Sequence, residues 1–169
     1  MARVYLSIGS NVDREKNIRA SLDALHRRFG KLLLSSVYES EAVGFCGENF
    51  FNLVAGIVTD LSVGELAACL RRIEHANGRR RDTQRFSPRT LDIDILTYDD
   101  LVGDVDGVGL PRKEVTENAF VLQPLAEVAG AQRHPRLQVS YAELWRRYNK
   151  RQKLWPVSFL WQGKKLPLG

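Results

Sequence analysis

Between Val4 and Tyr98 the apolar residues change their spacing in a set order, and that order leaves few folds open. Val4, Leu6 and Ile8 alternate with Tyr5 and Ser7, the period of a strand, ending at the turn-like triplet Gly9-Ser10-Asn11. Ile18, Leu22, Leu25 and Phe29 then recur at helical spacing, and Gly30 closes that helix. Lys31 to Tyr38 predicts a second strand, and a loop from Glu39 to Asn49 leads into a third, Phe50 to Thr59. Ser62-Val-Gly-Glu65 has the form of a capping box, in which hydroxyl and carboxylate satisfy free amides at a helix start. Leu66, Leu70 and Ile73 continue on one helical face until Asn77-Gly78 stops it. After an arginine-rich segment, Leu91 to Tyr98 reads as a further strand. The succession is β-α-β-β-α-β, the signature of a ferredoxin-like α+β fold with an antiparallel sheet.

Downstream, Asp99 to Gly109 predicts a turn-rich connection, and Pro124 the first turn of a helix through Ala129. Ser140-Tyr-Ala-Glu143 caps another helix through Tyr148. Such additional C-terminal helices predict a three-layer α/β/α arrangement. The last twenty residues, with Trp155, Phe159 and Trp161, predict a strand-like tail whose place the pattern leaves open. At 169 residues the simplest organisation is one domain, 1–169.

The charge is uneven. Residues 79 to 89 hold Arg79, Arg80, Arg81, Arg85 and Arg89 against Asp82 alone, and a second basic cluster runs from Arg146 to Lys153. Such patches suit polyanions, although most charge runs are merely solvated faces. RNA-recognition modules share the predicted topology but carry a Lys/Arg-Gly-aromatic motif on a central strand, which this chain lacks, so no nucleic-acid partner is expected. A Gly-x-x-x-x-Gly-Lys-Ser/Thr loop and the protein-kinase signatures are also missing. The apolar run at the N-terminus is too short for a signal peptide or a membrane span, and Cys46 and Cys69 form no metal-type pair. A cytoplasmic protein without a membrane partner is the expectation.

Asp92 and Asp94 carry the chemistry. Strand alternation sets both carboxylates on one face and Leu91, Ile93 and Ile95 on the other. Side by side they repel each other, and an oxygen-liganded dication would remove that cost; Mg²⁺ takes one or two carboxylates plus substrate phosphates. The preceding arginines offer forked donors to the same phosphates. A solvent-facing edge strand is the bland alternative. Phe50 and Asn52 share a strand face, and Phe120 lies far off; each aromatic alone reads as core. A flat aromatic ligand would make them a set, with stacking from the rings and hydrogen bonds from the amide.

Several segments together resemble the 6-hydroxymethyl-7,8-dihydropterin pyrophosphokinase family of folate biosynthesis. They are Val4-Tyr-Leu-Ser-Ile-Gly-Ser-Asn11, Phe50-Phe-Asn52, Arg72-Ile-Glu-His-Ala-Asn-Gly-Arg79, Pro88-Arg-Thr-Leu-Asp-Ile-Asp-Ile95, Leu110-Pro111 and Ala119-Phe-Val-Leu-Gln-Pro-Leu-Ala-Glu127. The resemblance covers about the first 130 residues and implies diphosphate transfer from ATP to the hydroxymethyl group of the dihydropterin, releasing AMP. It implies two Mg²⁺ ions held by Asp92 and Asp94, with Arg81 and Arg89 as further catalytic residues on the phosphates. Glu74, Arg79, Arg89, Ile95, Arg112 and Lys113 are the implied nucleotide contacts. Ser40, Val43, Phe50, Asn52, Phe86 and Phe120 are the implied pterin pocket. Mobile lids at Gly44, Gly47 and the arginine-rich segment, and a monomer, are also expected. The chain departs from the family at Ala42, where proline is typical, at Phe86 for tryptophan, at Arg112 for histidine and at Asn118 for arginine. Those departures keep two alternatives open: a paralogue acting on another pterin alcohol, and a noncatalytic pterin- or nucleotide-binding protein.

Overall fold

The computed structural model describes residues 1–41, 49–78 and 91–169. Within them the elements are β1 Ala2–Ser10, α1 Arg14–Phe29, β2 Leu33–Leu34, β3 Val37–Ser40, β4 Phe50–Thr59, α2 Val63–Ala76 and β5 Asp92–Tyr98. They continue as β6 Gly103–Val105, β7 Val108–Leu110, α3 Glu114–Glu117, α4 Ala119–Ala129, α5 Tyr141–Arg147, β8 Leu154–Val157, β9 Leu160–Trp161 and β10 Lys164–Lys165. The main sheet runs β5-β1-β4-β3-β8, with β2 also on β4, and every pairing is antiparallel. This is the expected ferredoxin-like core.

Strand alternation divides the interior in two. Val4, Leu6, Ile8, Leu53, Ile57, Ile93 and Ile95 meet Ile18, Leu22 and Leu25 of α1 and Leu66 and Leu70 of α2. Tyr5, Val54 and Leu96 face the other way, against Val115, Val121, Leu122, Leu125 and Tyr141. Helices therefore cover both faces, in three layers. Full burial of each such aliphatic side chain contributes roughly 1.5–3 kcal/mol. The capping box forms in both halves: the Glu65 amide donates to the Ser62 hydroxyl, and the Ser62 amide donates to the Glu65 carboxylate.

Four expectations are corrected. The strand from Lys31 to Tyr38 is broken into β2 and β3, because Ser35 uses its own hydroxyl to accept the Val54 amide at 2.9 Å. Gly9 and Ser10 belong to β1 rather than to a turn, held by pairing with Asn52 and Phe51. The segment from Asp99 to Gly109 contains the β6–β7 hairpin, turned by Asp106-Gly107 with φ of 53° and 82°. Asp-Gly with both residues left-handed is the tight turn whose twist matches its strands. Asp106 also accepts the Gly64 amide at 3.0 Å, tying the hairpin to the first turn of α2. Helix α4 begins at Ala119, so Pro124 lies in its interior. Proline there forfeits one helical hydrogen bond, and the buried Val121, Leu122 and Leu125 hold the helix regardless. The tail is strand-like, as expected, and the structure gives it a place in the fold. β8 extends the main sheet beside β3, and Phe159, Trp161 and Leu166 join the first core cluster. No helix among the described residues is long and apolar enough to cross a membrane.

Candidate functional site

The register across three strands assembles the site. Gly9 pairs with Asn52 on one side and Asp92 on the other, and Ser7 pairs with Val54 and Asp94. Asn52, Gly9 and Asp92 thus form one crosswise row, with Ser7 and Asp94 two residues along on the same face. Over these rows lies a cavity of about 320 Å³, walled by Ser40, Phe50 and Asn52 on one side, Asp92, Asp94 and Arg112 on another, and Phe120 and Val121 of α4. The predicted separation of faces holds, since Leu91, Ile93 and Ile95 are at most 4% exposed while the Asp94 side chain is 42% exposed.

Asn52 is buried and donates from Nδ2 to the Ser40 hydroxyl at 3.0 Å, which orients its amide. Gly9 makes room for it: a Cβ built there would stand 2.8 Å from Asn52 Oδ1. Gly9→Ala is therefore expected to turn the amide away and raise the KM for a ligand read by Asn52 about tenfold. Steady-state titration checks this, and an unchanged KM would show that the amide is not part of recognition.

A second cavity, of about 270 Å³, opens between α2, β5 and the hairpin, lined by Ala67, Leu70, Ile95 and Val108 among others. Asp94 and Arg112 line both cavities, so a carboxylate and a guanidinium stand at their junction. Arg112 Nη2 lies 3.8 Å from Asp94 Oδ1, and Arg112 Nε contacts the Glu114 carboxylate. Both the Arg112 and Asp94 side chains are about 40% exposed, so this pair contributes about 0–1 kcal/mol at most. It offsets some of the repulsion between the aspartates and is weak enough for a stronger cation to displace.

Among the described residues no group of three or more His, Cys, Asp or Glu side chains could hold a metal ion. A pair of carboxylates on one face fits an ion that completes its shell with substrate phosphates, as Mg²⁺ does.

The remaining predicted residues lie as follows. Glu74 is 1% exposed, and its Oε2 accepts the Ile93 amide at 2.8 Å, so it braces β5 from beneath rather than lining either cavity. Lys113 is exposed at the start of α3 and borders neither cavity. Val43, Arg79, Arg81, Phe86 and Arg89 lie outside the described residues, as do the predicted lids at Gly44, Gly47 and the arginine-rich segment. Sequence reasoning missed Ser7, Gly9 and Glu114 as parts of the cavity. For Ser7 and Gly9 a signal existed, since alternation along β1 places them together opposite the core face.

The helix that carries Phe120 is tied to the sheet. Glu127 accepts the Ser36 amide at 2.7 Å, the Ser36 hydroxyl at 2.8 Å and the Tyr38 hydroxyl at 3.3 Å. Burial, with the Glu127 carboxylate alongside, pushes the Tyr38 hydroxyl up to about 12, so it remains a donor.

Residues 5–130 match the model of the 7,8-dihydro-6-hydroxymethylpterin-pyrophosphokinase (HPPK) family. The chain is 37% identical over 137 residues to the 2-amino-4-hydroxy-6-hydroxymethyldihydropteridine pyrophosphokinase of Pseudomonas aeruginosa, spanning 79% of this chain and 84% of that one. Its identity to the Bacillus subtilis protein of the same name is 35% over 128 residues, spanning 73% and 76%. Among solved structures, wild-type Plasmodium falciparum HPPK-DHPS superposes with a TM-score of 0.66 at 14% identity, covering 89% of this chain and 45% of that chain. Its S436F/A437G/A613T triple mutant with STZ-DHP gives 0.69 at 14% identity, covering 89% and 44%. This chain thus spans less than half the length of those chains, and at such identity the likeness is one of fold.

Proposed function

The chain belongs to the 7,8-dihydro-6-hydroxymethylpterin-pyrophosphokinase family, and from that premise we propose that it makes the pterin diphosphate used in folate synthesis, with ATP as donor. The observation that carries this reading is the placing of Asp94 and Arg112 at the junction of two cavities, with Asp92 beside them in the first. One cavity suits a flat heterocycle, and the other, lined by Ala67, Leu70, Ile95 and Val108, suits a nucleoside. The phosphates then lie over the carboxylates.

In this reaction the pterin hydroxymethyl oxygen attacks the β-phosphorus of ATP. The bond from that phosphorus to the α,β-bridging oxygen breaks, AMP leaves with the bridging oxygen, and the hydroxyl proton passes to solvent. Asp92 and Asp94 would hold Mg²⁺, which when bound would neutralise charge on the phosphates. Phe50 and Phe120 flank the pterin ring, while Asn52, oriented by Ser40, offers Oδ1 as an acceptor to the N–H groups on its edge. Val43 and Phe86 complete that pocket. Arg79, Arg81 and Arg89 supply cations to the phosphates, Arg112 adds another at the junction of the cavities and the exposed Lys113 a further one, while Ile95 lines the adenosine side and Glu74 serves it only by bracing β5. Acceleration rests on positioning and electrostatics rather than on a dedicated general base.

Purified protein with Mg²⁺, ATP and 6-hydroxymethyl-7,8-dihydropterin is expected to release AMP in step with pterin diphosphate. No AMP above background at saturating substrates would overturn the reading. Tight pterin binding without turnover would leave a binding protein.

A further inference from the structure

The family match ends at residue 130, yet the chain beyond it returns to the wall of the first cavity. After α5 it passes Tyr148 and Gln152 and enters β8, where Leu154 pairs with Ser40, one of the cavity residues. Just before that strand, Gln152 meets the start of α4. Its Oε1 accepts the Ala119 amide at 2.6 Å, and its Nε2 donates to Asn118 Oδ1 at 3.3 Å. The Tyr148 hydroxyl donates to the Glu117 carbonyl at 2.7 Å beside it.

Helix starts present amides that have no partner within the helix. A side chain at the N-cap ordinarily accepts one of them, but Asn118 makes no such bond. Ala119 is fully buried, and Gln152, 33 residues away, takes the role instead. The residue next to Ala119 is Phe120, which walls the cavity. Glu127 pins the far end of the same helix to the strand side through Ser36 and Tyr38. Phe120 therefore hangs between two struts, and only the Glu127 strut lies within the matched region.

We propose that Gln152 is a positioning residue for the heterocycle site: by capping α4 through Ala119 and Asn118 it fixes where Phe120 stands. The proposal rests on the pterin reading given above. Gln152 is itself exposed, so its removal opens no cavity in the core. Water in its place would satisfy the Ala119 amide without fixing the helix. The effect should fall on the ligand that Phe120 touches and spare the nucleotide, whose cavity is lined from α2, β5 and the hairpin.

The test compares wild type, Gln152→Ala, Gln152→Met and Gln152→Glu in the full chain. It measures equilibrium binding of 6-hydroxymethyl-7,8-dihydropterin by fluorescence, KM for each substrate, and melting temperature. Gln152→Ala and Gln152→Met should weaken pterin binding about fivefold to tenfold and leave the KM for ATP within about twofold. Gln152→Glu, which keeps the acceptor for Ala119, should recover most of the loss. Methionine preserves the side-chain length if alanine compromises folding. Pterin binding equal to wild type in both neutral variants, or equal losses for pterin and ATP with a lowered melting temperature, would overturn the proposal. A wild-type protein that does not bind the pterin would instead overturn the functional reading and this proposal with it.

Discussion

Asp92→Asn and Asp94→Asn are each expected to lower kcat on the order of a hundredfold to a thousandfold while the melting temperature holds or rises. The two carboxylates share a face of β5 and line the first cavity, where the proposed function puts the phosphates. Like charges two residues apart on one strand face repel, and Arg112 offsets part of that at Asp94. The amide keeps the shape and removes the charge, so repulsion falls in the free protein and the metal ligand is lost. That opposition of signs is the diagnostic: a structural aspartate would lose stability and activity together. AMP release and thermal denaturation on the same preparations check it. Turnover at the wild-type rate in either variant would remove that residue from the metal assignment.

Glu74→Ala is expected to cost about 2–4 kcal/mol of folding stability, with the melting temperature lowered by about 5–15 °C. Glu74 is 1% exposed within α2, and its carboxylate accepts the backbone amide of Ile93, the residue between the two aspartates. Truncation strands that amide in the interior and leaves a void beside Leu70 and Ile93. Activity should fall as well, because the same hydrogen bond holds the backbone between Asp92 and Asp94. Glu74→Gln retains an oxygen acceptor of the same length and should recover most of the stability. Denaturant unfolding of the three proteins separates these outcomes. An alanine variant as stable as wild type would mean that the brace contributes nothing.

Much of the fold was legible because its elements announce themselves locally. Alternation in β1, helical spacing in α1 and the reciprocal cap of α2 involve residues within a few positions of one another. The Asp-Gly turn of the β6–β7 hairpin was equally legible. By sequence alone the segment reads as a connection, because glycine and aspartate signal any turn. Pro124 misled for a related reason. Its preference for the first turn of a helix is a statistical lean, and the buried apolar face from Val121 to Leu125 outweighs it. The site was legible in part. Alternation set Asp92 and Asp94 on one face, and the aromatic set was only implied by resemblance to the family. Nothing local linked Phe120 to Phe50.

The sequence by itself determined which residues lie on which face of each strand and helix, and which carboxylates and arginines the chain offers to phosphate. Those properties follow from backbone periods of 2 and 3.6 residues, which every chain shares. Only the tertiary structure decided that Asn52, Gly9 and Asp92 stand in one row, that two cavities meet at Asp94, and that Gln152 caps the helix bearing Phe120. Register and long-range contacts depend on the packing of the whole core. Closing a loop such as that between Ala119 and Gln152 costs chain entropy, which no local pattern repays. The two helical layers repay it together, by burying the same sheet from both sides.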